Sequence, residues 1–144
     1  MTSGERYVLD AFALLAFFLA EPAGPRVREL LDEAATERVE LSLCVINLAE
    51  VLYRLERERG EVSARNAHVL MVEEFSIQLV DADRDLSVRA ARLKAHHPIS
   101  LADAYVAALA MRLDATLVTG DPDFRLLEDR VAVEWLTDHE APAQ

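Results

Sequence analysis

The 144-residue sequence is poor in the residues that build the commoner small-molecule and metal sites. Its four glycines, Gly4, Gly24, Gly60 and Gly120, are scattered. No glycine-rich loop can therefore cradle a nucleotide, and P-loop and dinucleotide-binding readings fail. Cys44 is the sole cysteine, which excludes an intrachain disulfide and a cysteine metal cluster. His68, His96, His97 and His139 show no zinc spacing. The adjacent pair His96-His97 fits the end of a helix, where the dipole favours positive charge. Long apolar runs are missing too. The longest uncharged one, Ala11 to Ala20, is too short to cross a bilayer and suits a core helix. Ahead of it, Glu5 and Asp10 stand where a secretory signal would be basic and then apolar, so the expectation is a soluble, cytoplasmic protein with no membrane association. There is no internal repeat, low-complexity stretch or linker. A single domain over residues 1–138 is expected, followed by a loose tail, 139–144.

Acid is abundant. Twenty-six Asp and Glu against 15 Lys and Arg give a net charge of −11. That balance runs against a nucleic-acid binder, which usually shows a basic face because phosphate contacts dominate affinity. Two features act in the other direction. Acids clustered in one place can be neutralised by divalent cations, and every basic residue except Lys94 is arginine, the side chain suited to bidentate phosphate contact.

Short strands alternate with helices, the pattern of an α/β domain with a mainly parallel sheet. Tyr7-Val8-Leu9 reads as a first strand. A very apolar helix follows over roughly 12 to 20, broken by Glu21-Pro22-Ala23-Gly24-Pro25, and an amphipathic helix covers about 26 to 36. Val39 to Leu43 is a second strand, followed by a helix over about 46 to 59 that ends on a left-handed Gly60. Ser63 can cap a helix to about 75, and Ile77 to Val80 is a third strand. Asp83 caps a helix over about 84 to 95, and Ser100 opens another to about 113. Ala115 to Thr119 is a fourth strand, Pro122 starts a helical turn, and Val131 to Val133 is a fifth strand.

Four acids stand out, and each has an ordinary structural explanation when taken singly. Asp103 is the only acid in LADAYVAALAMRL, which is apolar nearly all round and so expected to be buried. It is also the last residue of a capping box, Ser100-Leu101-Ala102-Asp103. Asp121, in Thr119-Gly120-Asp121-Pro122-Asp123-Phe124, is a natural N-cap before a proline. Asp10 fits a cap between strand and helix. On a helical wheel Val45, Leu48, Leu52 and Leu55 form the core face of their helix. Glu50 falls on the other side with Asn47, Arg54 and Arg57, where it can pair with Arg54.

The combination says more. In a parallel sheet, residues just past the strand ends share one edge, the edge where open α/β sheets place their sites. Asp10 and Asp121 follow the first and fourth strands, Asp103 opens the helix leading into the fourth, and Glu50 lies in the second turn after the second. Carboxylates gathered in one pocket repel each other unless cations intervene. An all-oxygen donor set suits Mg²⁺ or Mn²⁺, and such ions serve phosphodiester hydrolysis especially well. Other phosphate-handling folds fit poorly. A phosphoaspartyl phosphatase wants a second acid two residues after Asp10, where Phe12 stands; a receiver domain wants a lysine at a strand end, and Lys94 is within a helix.

The segments YVLDAFALLAFFLAEP, INLAEVLYRL, ISLADAYVAALAMRL and TLVTGDPDF, in this order, resemble the PIN-domain nucleases, in particular the VapC-type toxins of toxin–antitoxin pairs. The resemblance spans nearly the whole chain. It implies a three-layer α/β/α sandwich on a mainly parallel sheet of about five strands. It also implies that Asp10, Glu50, Asp103 and Asp121 are the catalytic and metal-binding residues, that Mg²⁺ (or Mn²⁺) is the cofactor, and that RNA is the substrate. A homodimer and a cognate antitoxin protein are implied as partners. Asp123 matches an additional acid of some members, Asn47 a frequent asparagine and Thr119 a frequent hydroxyl. Phe12 departs from the pattern, since many members carry Ser or Thr there. A PIN-fold protein-interaction module with little or no nuclease activity is the alternative. Arg54, Arg57 and Arg125 are candidates for steering an RNA backbone, or else ordinary surface arginines.

Overall fold

A computed structural model describes residues 4–136; the expected tail and His139 lie outside them. The strands β1 (Glu5–Leu9), β2 (Val39–Cys44), β3 (Ile77–Val80), β4 (Thr116–Thr119) and β5 (Val133–Trp135) form one sheet in the order β3-β2-β1-β4-β5. Every neighbouring pair is parallel. Helices α1 (Ala11–Phe18), α2 (Gly24–Ala35), α3 (Val45–Arg59), α4 (Glu61–Val69), α5 (Arg84–His96) and α6 (Leu101–Leu113) fill the two outer layers.

Alternation along the strands divides the interior into two cores, because successive side chains point to opposite faces. Tyr7 and Leu9 of β1, Leu41 and Leu43 of β2 and Val118 of β4 meet α1, α2, α3 and α4 in one core. Val8, Cys44 and Leu117, on the other face, meet α5, α6 and the fully buried Phe124. The α/β/α sandwich expected from the sequence is therefore the fold. A sheet covered on both faces explains why its strands read as near-continuous apolar runs.

Several boundaries differ, each for a local reason. The first helix stops at Phe18, where Ala20 takes a left-handed φ of 55°, ahead of the Glu21-Pro22 breaker. The second begins earlier, at Gly24, because Pro25 is preorganised for its first turn. Ser63 is not a cap. Gly60 ends α3 with φ 96° and ψ 169°, positive in φ but extended rather than left-handed in ψ, and α4 starts at Glu61 immediately after it. That helix widens into a π-helical turn at Leu70–Glu74. Asp83 and Ser100 cap as expected, accepting from the backbone N–H of Leu86 (2.8 Å) and of Asp103 (3.0 Å).

The face assigned to α3 is also corrected. Asn47 lies in the interior with Val51 and Leu55, at four-residue spacing, whereas Leu48 and Leu52 are only partly buried. The wheel reading assumed one buried face, but α3 is covered from a second side by the start of α6, where Asn47 Nδ2 donates to the Ala102 carbonyl at 3.4 Å.

Phe124 anchors the 3₁₀ turn Pro122–Leu127 in the second core. Truncating it by Phe124→Ala is expected to cost about 3–5 kcal/mol in a urea unfolding titration, the usual range for a fully buried aromatic.

Candidate metal centre

The strand order reverses between β1 and β4: the chain steps outward through β2 and β3 on one side, then returns to place β4 and β5 on the other. Such a switch point opens a crevice at the carboxyl ends of the two strands, and Asp10 and Asp121 stand beside it.

Asp10 is the N-cap of α1 and is 3% exposed. Its Oδ1 accepts from Ala13 N–H at 2.9 Å and its Oδ2 accepts from the Thr119 hydroxyl. Thr119, itself fully buried at the end of β4, also accepts at Oγ1 from the Asp121 N–H at 2.9 Å. One hydroxyl thus ties the first acid to the backbone of the fourth. Asp121 caps the 3₁₀ turn and accepts from Asp123 N–H at 2.9 Å. The capping readings of Asp10 and Asp121 hold, and Ser100 supplies its half of the capping box by accepting from the Asp103 N–H; these caps are how the backbone presents the carboxylates at one edge.

From α6, Asp103 reaches the same place. One carboxylate oxygen from each of Asp103, Asp121 and Asp123 lies within 4.8 Å of the other two. Asp10 and Glu50 are outside that trio but electrically part of it. Burial is the main cause pushing the Asp10 carboxyl up to about 7; the hydrogen bonds from Thr119 and Ala13 oppose this, and the charges of Asp103 and Asp121 add to it. Asp103 is pushed up to about 6, first by burial, then by Asp121, with Glu50 and Asp123 contributing and Ser100 opposing.

Arginine does not neutralise this cluster. Among the described residues, the ion pairs of the chain engage acids elsewhere, and none includes Asp10, Asp103, Asp121 or Asp123. Glu50, half-buried on α3, sits 3.8 Å from Arg54, a separation worth little at the surface. The buried Asn47 carbonyl oxygen has no hydrogen-bond partner among the described residues, although its amide is fixed on Ala102, next to Asp103. Crowded carboxylate oxygens with no ion-paired arginine among the described residues fit a hard divalent cation such as Mg²⁺ or Mn²⁺.

Of the other residues singled out, Arg57 lies over the Tyr53 ring at 4.9 Å and Arg125 over the Trp135 ring at 4.8 Å. Phe12 is 36% exposed, with its ring against Gly120. A Cβ at Gly120 would collide with both that ring and the Leu136 carbonyl oxygen, so the glycine makes room for the aromatic that stands where a hydroxyl is frequent.

The architecture defines a class: a doubly covered parallel α/β domain with a carboxylate cluster at its switch point. A model of the PIN domain family matches residues 7–130, and the chain belongs to that family. Several solved structures share the fold. VapBC2 from Rickettsia felis, bound to a DNA fragment from its promoter, superposes with a TM-score of 0.74 at 17% identity, over 92% of this chain and 99% of that one. VapC20 of Mycobacterium tuberculosis, a sarcin–ricin loop cleaving toxin, gives 0.69 at 16% identity over 83% and 93%. FitAcB from Neisseria gonorrhoeae gives 0.60 at 23% identity over 88% and 95%. No curated protein matches at the sequence level.

Two outcomes follow. Both raised carboxyls hold a proton more tightly in the folded protein than in the unfolded chain, whose aspartates titrate near 4. In EDTA, these two groups should therefore make stability fall as pH rises through the window from about 4 to 7. Asp10→Asn should flatten this slope and raise the melting temperature at alkaline pH; equal melting temperatures throughout the window would contradict the shifts. Separately, Gly120→Ala should destabilise by about 1–3 kcal/mol in chemical denaturation, and Phe12→Ala should not fully rescue it, because the Leu136 carbonyl remains in the way.

Proposed function

We propose that the chain is a divalent-cation-dependent endoribonuclease, hydrolysing phosphodiester bonds of RNA, and the toxin of a toxin–antitoxin pair. The observation that carries this is the convergence of Asp103, Asp121 and Asp123 oxygens within 4.8 Å, with no arginine to neutralise them. Membership of the PIN family and the likeness to VapBC proteins support the same reading. On this reading the partners are an antitoxin protein and a second copy of the chain, and the cation is Mg²⁺ or Mn²⁺.

Asp103, Asp121 and Asp123 would hold the cation, and Asp10 and Glu50 complete the negative set from two sides. When bound, such an ion supplies positive charge against phosphate oxygens and acidifies coordinated water. The chain's own contribution is placement. Ala13 N–H and the Thr119 hydroxyl fix both Asp10 oxygens. Thr119 holds the Asp121 amide, and Ser100 holds the amide of Asp103. Three carboxylates from separate stretches of chain are thereby preset, without side-chain rearrangement on binding.

A second reading, a binding module without catalysis, draws on the exposed Phe12 ring where a hydroxyl is frequent. Calorimetric titration with Mn²⁺ separates the two, since the module needs no metal uptake. For the nuclease, purified protein should cut RNA with Mg²⁺ or Mn²⁺ and stop in EDTA. Asp103→Asn should lower the rate by at least about 100-fold while the fold persists. Full activity in Asp103→Asn would overturn the assignment.

A further inference from the structure

Away from the acid cluster, the arginines are not evenly spread. Arg89, Arg92, His96 and His97 of the α5 end converge with Arg130, from the loop before β5, around a cleft of about 540 Å³. Leu93 and Met111 form its apolar wall. Among the described residues, no carboxylate lines it. Arg89 is engaged by Asp85 at 2.9 Å, but Arg92 and Arg130 make no ion pair with a described residue, and both are exposed. In a protein of net charge −11, unpaired guanidinium groups gathered in one concave place are a local reversal of sign.

We propose that this cleft is a second phosphate-binding site, which grips the RNA strand away from the bond to be cut. The proposal rests on the nuclease reading for the identity of the strand. Guanidinium forks match phosphate oxygens bidentately, and the exposed Met111 side chain offers a surface for a base face. The location fits. Met111 lies on the same helix as Asp103 and eight residues further on, about 12 Å at the rise of an α-helix. That is about three or four nucleotides of a stacked strand. It also meets a need the acid cluster creates, because carboxylates repel the polyanion they must act on. A remote grip supplies the attraction that the cutting site lacks.

The test is fluorescence anisotropy of a labelled single-stranded RNA of about 12 nucleotides, in EDTA so that no cleavage occurs, over a series of salt concentrations. With Arg92→Gln/Arg130→Gln, Kd should rise about tenfold near physiological salt, and the slope of log K against log salt should shrink by about 1.4, two contacts at about 0.7 each. Both positions are exposed, and an unchanged melting curve confirms that the variant is folded. Unchanged affinity and slope would overturn the proposal while leaving the nuclease reading intact if the wild type still cuts RNA. Wild-type protein that cuts nothing yet shows the predicted loss of binding would separate the failures the other way. An inorganic phosphate titration followed on the His96 and His97 imidazole resonances provides a further arm. Shifts there with RNA affinity untouched by the double variant would make the cleft a small-anion site and sink the RNA assignment. A glutamate-rich peptide that binds the cleft while RNA does not would sink it equally.

Discussion

The edge of this sheet is organised around one carboxylate kept out of water. Asp10 sits between β1 and β4 with its two oxygens taken by a backbone amide and a buried hydroxyl. Removing an ionised group from water is costly unless it is paired, and hydrogen bonds repay only part of that cost. No arginine is placed to repay the rest. The Asp10 carboxyl is instead pushed up to about 7, chiefly by burial, with the charges of Asp103 and Asp121 adding to it. Carboxylates crowded so near a core without a cationic partner fit a divalent cation. On the function proposed above, the electrostatic strain of the metal-free protein would become affinity for that metal.

This arrangement depends on the sandwich around it. Only a sheet whose strands all run one way brings the ends of β1 and β4 to the same edge, and only coverage on both faces leaves that edge as the place where backbone dipoles and side chains meet solvent. Helix α6 does two jobs. Its run of small apolar residues, Ala104, Ala107, Ala108 and Ala110, packs against the sheet, and its first turn delivers Asp103. Capping and chemistry are thus not rival explanations of these acids. An N-cap is the conformation that turns a carboxylate back over a helix mouth, and the starts of α6 and of the 3₁₀ turn place Asp103, Asp121 and Asp123 within 4.8 Å of one another, with the Asp10 cap beside them.

Strand ends and caps are local, and that is why they could be read from the sequence. Asp83, Ser100 and Asp121 cap where their residue type and the following turn demand. What could not be read was whatever depended on a second packing partner. Asn47 looked like surface on a wheel that assumed one buried face; α6 buries it from the other side. Gly60 looked like a left-handed stop before a loop, but its extended ψ lets α4 begin at once, so Ser63 had no cap to make. Asp123 entered only through family resemblance, because a residue two places after a cap carries no signal of its own. Its carboxylate proved to lie with those of Asp103 and Asp121, closer than Asp10 or Glu50. The partnership of Phe12 with Gly120 was likewise invisible, since 108 positions separate them and only the β1–β4 pairing brings them together.

The net charge, which first argued against a nucleic-acid substrate, looks different once the arginines are located. Part of the acid is balanced where it stands, by Arg26 on Glu134, Arg65 on Glu61, and Arg112 on Asp83 and Asp85. Net charge is therefore a poor guide to the local field, which falls off within about 8 Å at physiological salt. The surface carries separate regions: an acid cluster without an ion-paired arginine, and a cleft lined by arginines of which Arg92 and Arg130 have no ion pair with a described residue. A polyanion meeting such a surface is repelled from the first unless a divalent cation has reversed its sign, and is drawn to the second whether or not one is present. On the function proposed above, metal binding would do more than equip the acidic edge for chemistry. It would decide whether an RNA strand can lie across both regions at once, so that occupancy of one ion would couple substrate binding to competence for cleavage.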